Sequence, residues 1–527
     1  MNHYLNRKAL TLLIFCLLAM TSLQRCQQVP PDNQPPNIIF ILADDLSYRD
    51  LSIFGQEQFE TPNLDALAAR AVRFTQAYAG APECAPSRGT LMTGQHLGHA
   101  RIRKNTSARC GQEPLHADDP TMAKSLKSAG YATGFVGKWG MGTKGSSGEP
   151  NRQGFDLAFG YYDQLRAHTF FPHYLWKNQE RIDFPGNAGF NMDRLYDANV
   201  PDPQTIHFNS YTRSGVLSPP EIAEPESLVY TEDLFNSEAI QFIDDHQDEP
   251  FFLYYASNLP HGPVIVDSLR ELNDRSDYPD IRTKEWAAMV QRLDISVGKL
   301  VAKLKETGTY DNTIILFASD NGYAMCGYMG RGNRGSNWED DPFLRNKGPF
   351  EGGKFSASEG GMRVPFFVHA PSRWKPATVS TPVWLIDLFP SMCDWGGVAE
   401  RPALDGHTLT PLLTGTESFP EDRALYWALG QEEAVRQGGF MALRSSPDDP
   451  IRLYLVEEDT YTQRDLAAHY PEVVRRMDSI MATTWEDDPI WWNPHETPSE
   501  WRQKRADHRA SGDTIPNAWP NGIAPRW

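Results

Sequence analysis

The sequence predicts an α/β fold: a large, mainly parallel sheet flanked by helices, followed by a small C-terminal α+β subdomain. Five short apolar runs, at 37–43, 131–136, 250–257, 313–319 and 364–369, have strand length and no polar alternation, as strands buried on both faces of a parallel sheet require. Helix-like segments at 63–70, 122–129, 231–245 and 285–305 alternate with them, which places helices on both faces of that sheet. Past Gly415 the texture changes to strand-like stretches at 423–429, 433–443 and 451–457, closing on a helix-like 471–481.

Read from its start, the chain has Arg7 and Lys8 ahead of an apolar stretch over 9–20. That stretch falls short of the roughly 20 residues that span a bilayer, and it reads as the hydrophobic part of a secretory signal. Residues 1–26 are expected to be a leader and the protein to be exported, to the periplasm or beyond the cell, with no transmembrane segment. A surface form anchored by a lipid on Cys26 is the alternative; Leu23-Gln24-Arg25 lacks the small residue expected before such a cysteine, which favours simple export. The Pro-, Gln- and Asn-rich 27–36 is then a linker, 37–415 the catalytic domain and 416–527 the C-terminal subdomain. Its tail carries Trp485, Trp491, Trp492, Trp501, Trp519 and Trp527, residues that stack on sugars or, more commonly, cover a domain surface.

At 527 residues, 40% hydrophobic and 22% charged, the chain is neither a small module nor a disordered one. Its 50 Lys and Arg against 68 Asp and Glu give a net charge of −18, which argues against nucleic acid as a partner. An anionic substrate must therefore be gathered by cations at the site itself. Beyond Cys16 and Cys26 in the leader stand Cys84, Cys110, Cys326 and Cys393, with no Cys-X-X-Cys pair to suggest zinc. That leaves room for one of them to serve chemistry.

Ligands of open α/β sheets bind at the carboxyl ends of strands. Asp44-Asp45 follows the first apolar run, Asp320-Asn321 follows 313–319, and Asn258-Leu259-Pro260-His261 follows 250–257. Three carboxylates and an amide make an oxygen donor set for a hard cation, Ca²⁺ or Mg²⁺. Taken singly, each pair would pass for a turn; two acidic pairs at two buried strand ends favour the metal.

The segment Cys84-Ala85-Pro86-Ser87-Arg88-Gly89-Thr90-Leu91-Met92-Thr93-Gly94 resembles the C-x-P-S-R motif, with its downstream T-G, of the formylglycine-dependent sulfatases in the alkaline phosphatase superfamily. The resemblance spans nearly all of the chain after the leader. It implies an alkaline-phosphatase-like fold and oxidation of Cys84 to formylglycine by a maturation enzyme. It implies metal ligation by Asp44, Asp45, Cys84, Asp320 and Asn321, with Ca²⁺ ahead of Mg²⁺, and places Arg88, Lys138, His261 and Lys354 around the sulfate. Ala434-Val435-Arg436 and Leu453-Tyr454-Leu455-Val456-Glu457 extend it into the C-terminal subdomain. The implied function is an exported sulfatase acting on a sulfated glycan; a phosphonate or phosphate ester hydrolase on the same scaffold, or a catalytically silent glycan-binding protein, are the alternatives.

The chemistry is coherent. Negative oxygens shield sulfur in a sulfate ester, so a divalent ion with Lys138, Lys354 and Arg88 must neutralise them. An aldehyde at position 84 hydrates to a geminal diol, one oxygen attacking sulfur and the other later expelling sulfate. His261 protonates the departing alkoxide, and a helix begun by Pro86 and Ser87 would aim N–H groups at the same anion. One departure stands out: many members of the family carry His two residues after the motif lysine, and here that place is Gly140. His168, in the loop with Arg166 expected to face substrate, is the candidate replacement. His96 and His99, three apart, read as a loop at a helix end near the site rather than as metal ligands.

Overall fold

The computed structural model describes residues 35–105, 113–164, 166–187, 228–262, 264, 266–278, 281–324, 348–420, 422–460, 462–488 and 490–510. The expected leader, most of the linker, Cys110, Cys326, Trp519 and Trp527 lie outside them. The described residues from Pro36 onward form one compact unit.

Sixteen strands are described: β1 Asn37–Ala43, β2 Val72–Phe74, β3 Ala77–Tyr78, β4 Ala132–Lys138, β5 Leu157–Tyr161, β6 Tyr174–Lys177, β7 Glu180–Asp183, β8 Phe251–Ala256, β9 Thr313–Ser319, β10 Phe366–His369, β11 Ala377–Val379, β12 Val383–Trp384, β13 Ala424–Leu429, β14 Glu432–Gln437, β15 Phe440–Arg444 and β16 Arg452–Leu455. The helices are α1 Pro62–Ala68, α2 Cys84–Thr93, α3 Met122–Ser128, α4 Thr231–Asp245, α5 Ile281–Glu306, α6 Glu359–Met362, α7 Leu388–Gly396, α8 Thr410–Thr414, α9 Pro471–Thr484 and α10 Pro498–Ala510.

Ten strands make the main sheet in the order β11-β2-β10-β9-β1-β8-β4-β5-β6-β7. Its centre, β9-β1-β8-β4-β5, is parallel, with Ile39 of β1 opposite Leu253 on one side and Ile315 on the other. The strand expected at 364–369 is present, but β10 runs antiparallel to β9 and β2, and β5, β6 and β7 pair antiparallel on the other flank.

β1 is buried along its whole length because alternate residues feed two cores. Ile39 and Ile41 pack in the cluster that includes Phe235 of α4 and Trp286 and Leu293 of α5. Ile38, Phe40 and Leu42 join Leu91 and Met92 of α2, Leu126 of α3 and Phe389 of α7. Each such side chain contributes about 1.5–3 kcal/mol by leaving water, which is why the run needs no polar face.

β13 to β16 form an antiparallel four-stranded sheet against α9, matching the expected small α+β unit. The stretch read as one strand at 433–443 is a hairpin, broken at Gly438-Gly439, where Gly438 has φ +57°. α10 was not expected from the sequence: it is polar along its length, and without an apolar stripe periodicity has nothing to detect.

Candidate active site

Four central strands end at the same edge of the sheet, and each hands over a charged or polar group. β1 delivers Asp44-Asp45, β9 delivers Asp320-Asn321, β4 ends on Lys138, and β8 leads through Asn258 and a cis Leu259–Pro260 bond to His261. Backbone bonds tie the end of β1 to those of β9 and β8: Asp320 N–H donates to Ala43 O at 3.1 Å, and Asp44 N–H to Leu259 O at 2.9 Å. Asp45 takes φ +64°, and its N–H donates to Asp320 Oδ1 at 3.1 Å. A left-handed aspartate is tolerated where such a bond holds it.

Cys84 is the first residue of α2, a helix buried along its whole length. Its Sγ lies 3.6 Å from Asp44 Oδ1, 4.0 Å from Asp45 Oδ1 and 3.1 Å from Lys354 Nζ. Lys354 Nζ also pairs with Asp45 at 2.8 Å and stands 3.2 Å from His261 Nε2. Lys138 Nζ meets Asp44 Oδ2 at 2.7 Å. The Arg88 guanidinium is enclosed: Nε and Nη2 reach Asp320 Oδ2 at 2.9 and 2.8 Å, and Nη1 donates to Lys138 O at 2.9 Å. Three carboxylates thus face three cations, every one buried, and the pairing is what makes their burial tolerable.

Burial pushes the Cys84 thiol up to about 12, with Lys138 and Lys354 pulling the other way, so an unmodified Cys84 is a neutral thiol near neutrality. Burial holds His261 well below the usual histidine range, aided by His168, Lys354 and Lys138. Burial and the Asp44 charge raise Asp320, opposed by Arg88, Lys138 and Lys354.

The donors suit a hard cation. Asp44, Asp45, Cys84 and His261 bring ligand atoms within 4.8 Å of one another. Beside them Asn321 donates from Nδ2 to Asp45 Oδ1 at 2.6 Å, while its buried Oδ1 has no hydrogen-bond partner. An orphaned amide oxygen next to two carboxylates is what an oxygen-liganded ion would satisfy.

All nine residues expected as metal or catalytic groups therefore converge. His168 joins them, its ring stacked on His261 at 3.9 Å between centroids and 12° between planes, with Nε2 buried and unpartnered. Asn258 Nδ2 donates to Ala167 O at 2.8 Å and clasps the two loops together. The Arg166 guanidinium, two residues before His168, lies 4.8 Å over the Tyr174 ring on β6. α2 begins at Cys84, two residues earlier than expected, and the Ala85 N–H is taken by Asn105 Oδ1 at 2.9 Å, so that donor is not aimed at an anion.

Gly140 has a local explanation. It adopts φ +77°, and a Cβ there would stand 2.5 Å from Gln164 Oε1. Gln164 is buried with that oxygen unpartnered, a site neighbour no sequence pattern announced. Phe355, beside Lys354, was likewise missed. His96 and His99 gather with Asp405 close enough for a metal. Yet Gly98 N–H donates to His96 Nδ1 at 3.1 Å, which leaves the proton of the neutral ring on Nε2, and His99 Nδ1 bonds Asp405 Oδ2 at 2.9 Å. The three tie the loop after α2 to 405, as a helix-end loop would be tied. Of the tail tryptophans, Trp485 lies under Arg103 at 4.6 Å and Trp491 Nε1 donates to Arg101 O at 2.7 Å, so both cover the domain surface.

A mixed α/β sheet with paired carboxylates, fixed cations and a buried cysteine at its carboxyl edge defines a hydrolase of anionic esters. The chain belongs to the Sulfatase family, whose family model matches residues 36–398, and it hydrolyses sulfate esters. It is 28% identical to the N-acetylgalactosamine-6-O-sulfatase of Bacteroides thetaiotaomicron, over 86% of this chain and 95% of that one. It is 30% identical to human arylsulfatase A, over 84% and 81% of the two chains. Among solved structures it is similar to Ps i-CgsB in complex with k-i-k-neocarrahexaose, with a TM-score of 0.69 and 28% identity, covering 91% of this chain and all of that one. The family works with a formylglycine and a divalent metal ion.

Proposed function

We propose that this sulfatase is exported and removes sulfate from a sulfated carbohydrate, using formylglycine made from Cys84 by a maturation enzyme and a bound Ca²⁺ or Mg²⁺. The carrying observation is Cys84 itself, sealed among Asp44, Asp45 and Lys354 with its thiol pushed up to about 12. A neutral buried thiol is a poor nucleophile, so the position makes sense once converted. Because residues 84–93 are wholly buried, the conversion belongs before folding closes over them. Among the described residues no helix is long and apolar enough to cross a membrane. The carbohydrate follows from relatives named for N-acetylgalactosamine sulfate and from the neighbour solved with neocarrahexaose.

Asp44, Asp45, Asp320, Asn321 and residue 84 would hold the cation, which adds a positive excess to an otherwise balanced cluster and so draws in an anionic ester despite the −18 of the whole chain. Once converted and hydrated, residue 84 would supply one hydroxyl oxygen as the nucleophile toward sulfur, with the alcohol leaving, and a second hydroxyl whose loss of a proton would re-form the aldehyde as sulfate departs. Lys138 and Lys354 bear on the sulfate oxygens. Arg88, enclosed by Asp320 and the end of β4, acts as a positioning residue. His261 keeps a proton on Nδ1 for Gly262 O, so Nε2 faces Lys354 Nζ at 3.2 Å. These two atoms share the proton placed to reach the departing alcohol oxygen.

The test is peptide mass spectrometry of residue 84 together with sulfate release from sulfated oligosaccharides. The expected result is an aldehyde in place of the thiol and loss of turnover in Cys84→Ala. Full activity with the thiol intact would overturn the assignment.

A further inference from the structure

Phe355 is the one large hydrophobic side chain among the described residues that is truly exposed, at 56%. It is also one of five non-glycine residues with positive φ among those described, at +67°, a backbone state in which an aromatic residue is an outlier. The two facts compound: a bulky apolar side chain is held in the open by a conformation it disfavours. Both neighbours enforce it, for Lys354 N–H donates to Tyr323 O at 2.7 Å, Phe355 N–H to Pro82 O at 2.9 Å, and Ser356 N–H to Gly353 O at 3.0 Å. The place is not arbitrary. Lys354 Nζ stands 5.4 Å from the Phe355 ring centroid, over its face, and the same ammonium touches Cys84 Sγ, Asp45 and His261.

We propose that Phe355 is the platform on which the substrate's sugar ring stacks at the mouth of the site. The chemistry fits a pyranose, whose axial C–H face is apolar while its rim carries hydroxyls and sulfate. Such a face lies flat on an aromatic ring, and the rim then points its anionic group toward Lys354 and position 84. Neither a metal nor a proton is asked of Phe355; it orients and discriminates. Strained, exposed residues persist where the strain prepares a ligand contact, and no core contact of Phe355 accounts for this one. The inference rests on the carbohydrate reading above and names the residue that would enforce it.

The experiment uses the matured, metal-loaded protein and a sulfated oligosaccharide that the wild type desulfates. Phe355→Ala and Phe355→Gly are expected to raise KM about tenfold with kcat within a factor of two, and Phe355→Trp to restore wild-type KM. Glycine suits positive φ, so Phe355→Gly is expected to melt no lower than the wild type, which removes misfolding as an explanation. A fall in kcat with KM unchanged would mean the substitutions had merely displaced Lys354, and would overturn the platform. So would unchanged KM in the alanine and glycine variants. A wild type that releases sulfate from simple sulfate esters and from no oligosaccharide sinks the carbohydrate reading instead, before any variant is made.

Discussion

Asp320 serves two neighbours at once: Oδ2 holds the Arg88 guanidinium and Oδ1 accepts the N–H of left-handed Asp45. Asp320→Ala takes the nearer carboxylate from a fully buried arginine, leaving it Asp44 at 3.6 Å and the Lys138 carbonyl, a loss of about 3 kcal/mol, and also removes a ligand. We expect a clear drop in melting temperature, metal content below that of the wild type by elemental analysis, and activity lower by about a thousandfold. Full metal occupancy in that variant would contradict its place in the donor set. Gly140→Ala tests a different kind of constraint. Its Cβ would lie 2.5 Å from Gln164 Oε1, and φ +77° is costly for any L side chain, so a loss of about 2–3 kcal/mol is expected. Introducing Gln164→Ala beside it should recover the steric part and leave about 1–2 kcal/mol of backbone strain, measurable by denaturant unfolding. The difference between Asp320 and Gln164 is also the difference between what the sequence reveals and what it hides. Asp44, Asp45, Asp320 and Asn321 sit directly after apolar runs, where chain order alone marks them. Gln164 reaches the site through a loop, and Phe355 matters through exposure and φ, neither of which a residue type encodes.

At the scale of elements, the loop that carries His261 is braced from beneath by α4. Glu232 is buried there, accepting from Tyr255 Oη at 2.7 Å and from Ser257 Oγ at 2.7 Å, and Ser257 Oγ in turn accepts the Leu259 N–H at 3.1 Å. Burial pushes its carboxyl up to about 7, with the bonds from Tyr255, Ser257 and Ser296 opposing. The fold therefore prefers the protonated acid. Its contribution is complete below the unfolded value of 4.5 and is lost as pH rises toward 7, on the order of 3 kcal/mol. Glu232→Gln should flatten the fall of melting temperature between pH 4.5 and 7 and leave the variant more stable than the wild type above pH 7. Glu83, also raised to about 7 by burial, titrates with the same sign, so part of the slope should remain. A slope unchanged by the substitution would show that Glu232 is ionised in the fold. The strands themselves were legible, β1 and β9 to the residue, because burial on both faces leaves an uninterrupted apolar run. The direction of β10 was not, since an antiparallel strand buried on both faces reads the same.

At the scale of the whole molecule, the C-terminal sheet is joined to the catalytic groups by more than a shared core. Glu432, at the start of β14, accepts the Ala357 N–H at 2.9 Å and the Ser356 Oγ proton at 3.2 Å, and Glu351 N–H donates to Thr460 O at 3.2 Å. These bonds grip both sides of the turn that carries Lys354 and Phe355. Arg436 of β14 reaches Gln76 Oε1 at 2.6 Å and Tyr78 Oη at 3.3 Å, and Tyr78 donates to Glu359 at 2.9 Å, just past the same turn. None of this was legible in the sequence, because a carboxylate bonding a backbone 75 residues away leaves no periodic mark. The consequence is a separation that the two kinds of variant should display. Glu432→Ala removes a grip without touching a carboxylate of the cluster, so the metal should stay at wild-type occupancy. Lys354, however, loses the fixed backbone that aims its ammonium, and small displacements of such groups are costly to turnover. We expect kcat to fall about tenfold with metal content unchanged, the reverse of the loss of metal in Asp320→Ala. Glu432→Gln, which can still accept the Ala357 N–H, should recover most of the rate. If Glu432→Ala turned over at the wild-type rate, the C-terminal sheet would be a cover for the core alone, and the placement of Lys354 would belong entirely to its own bond to Tyr323.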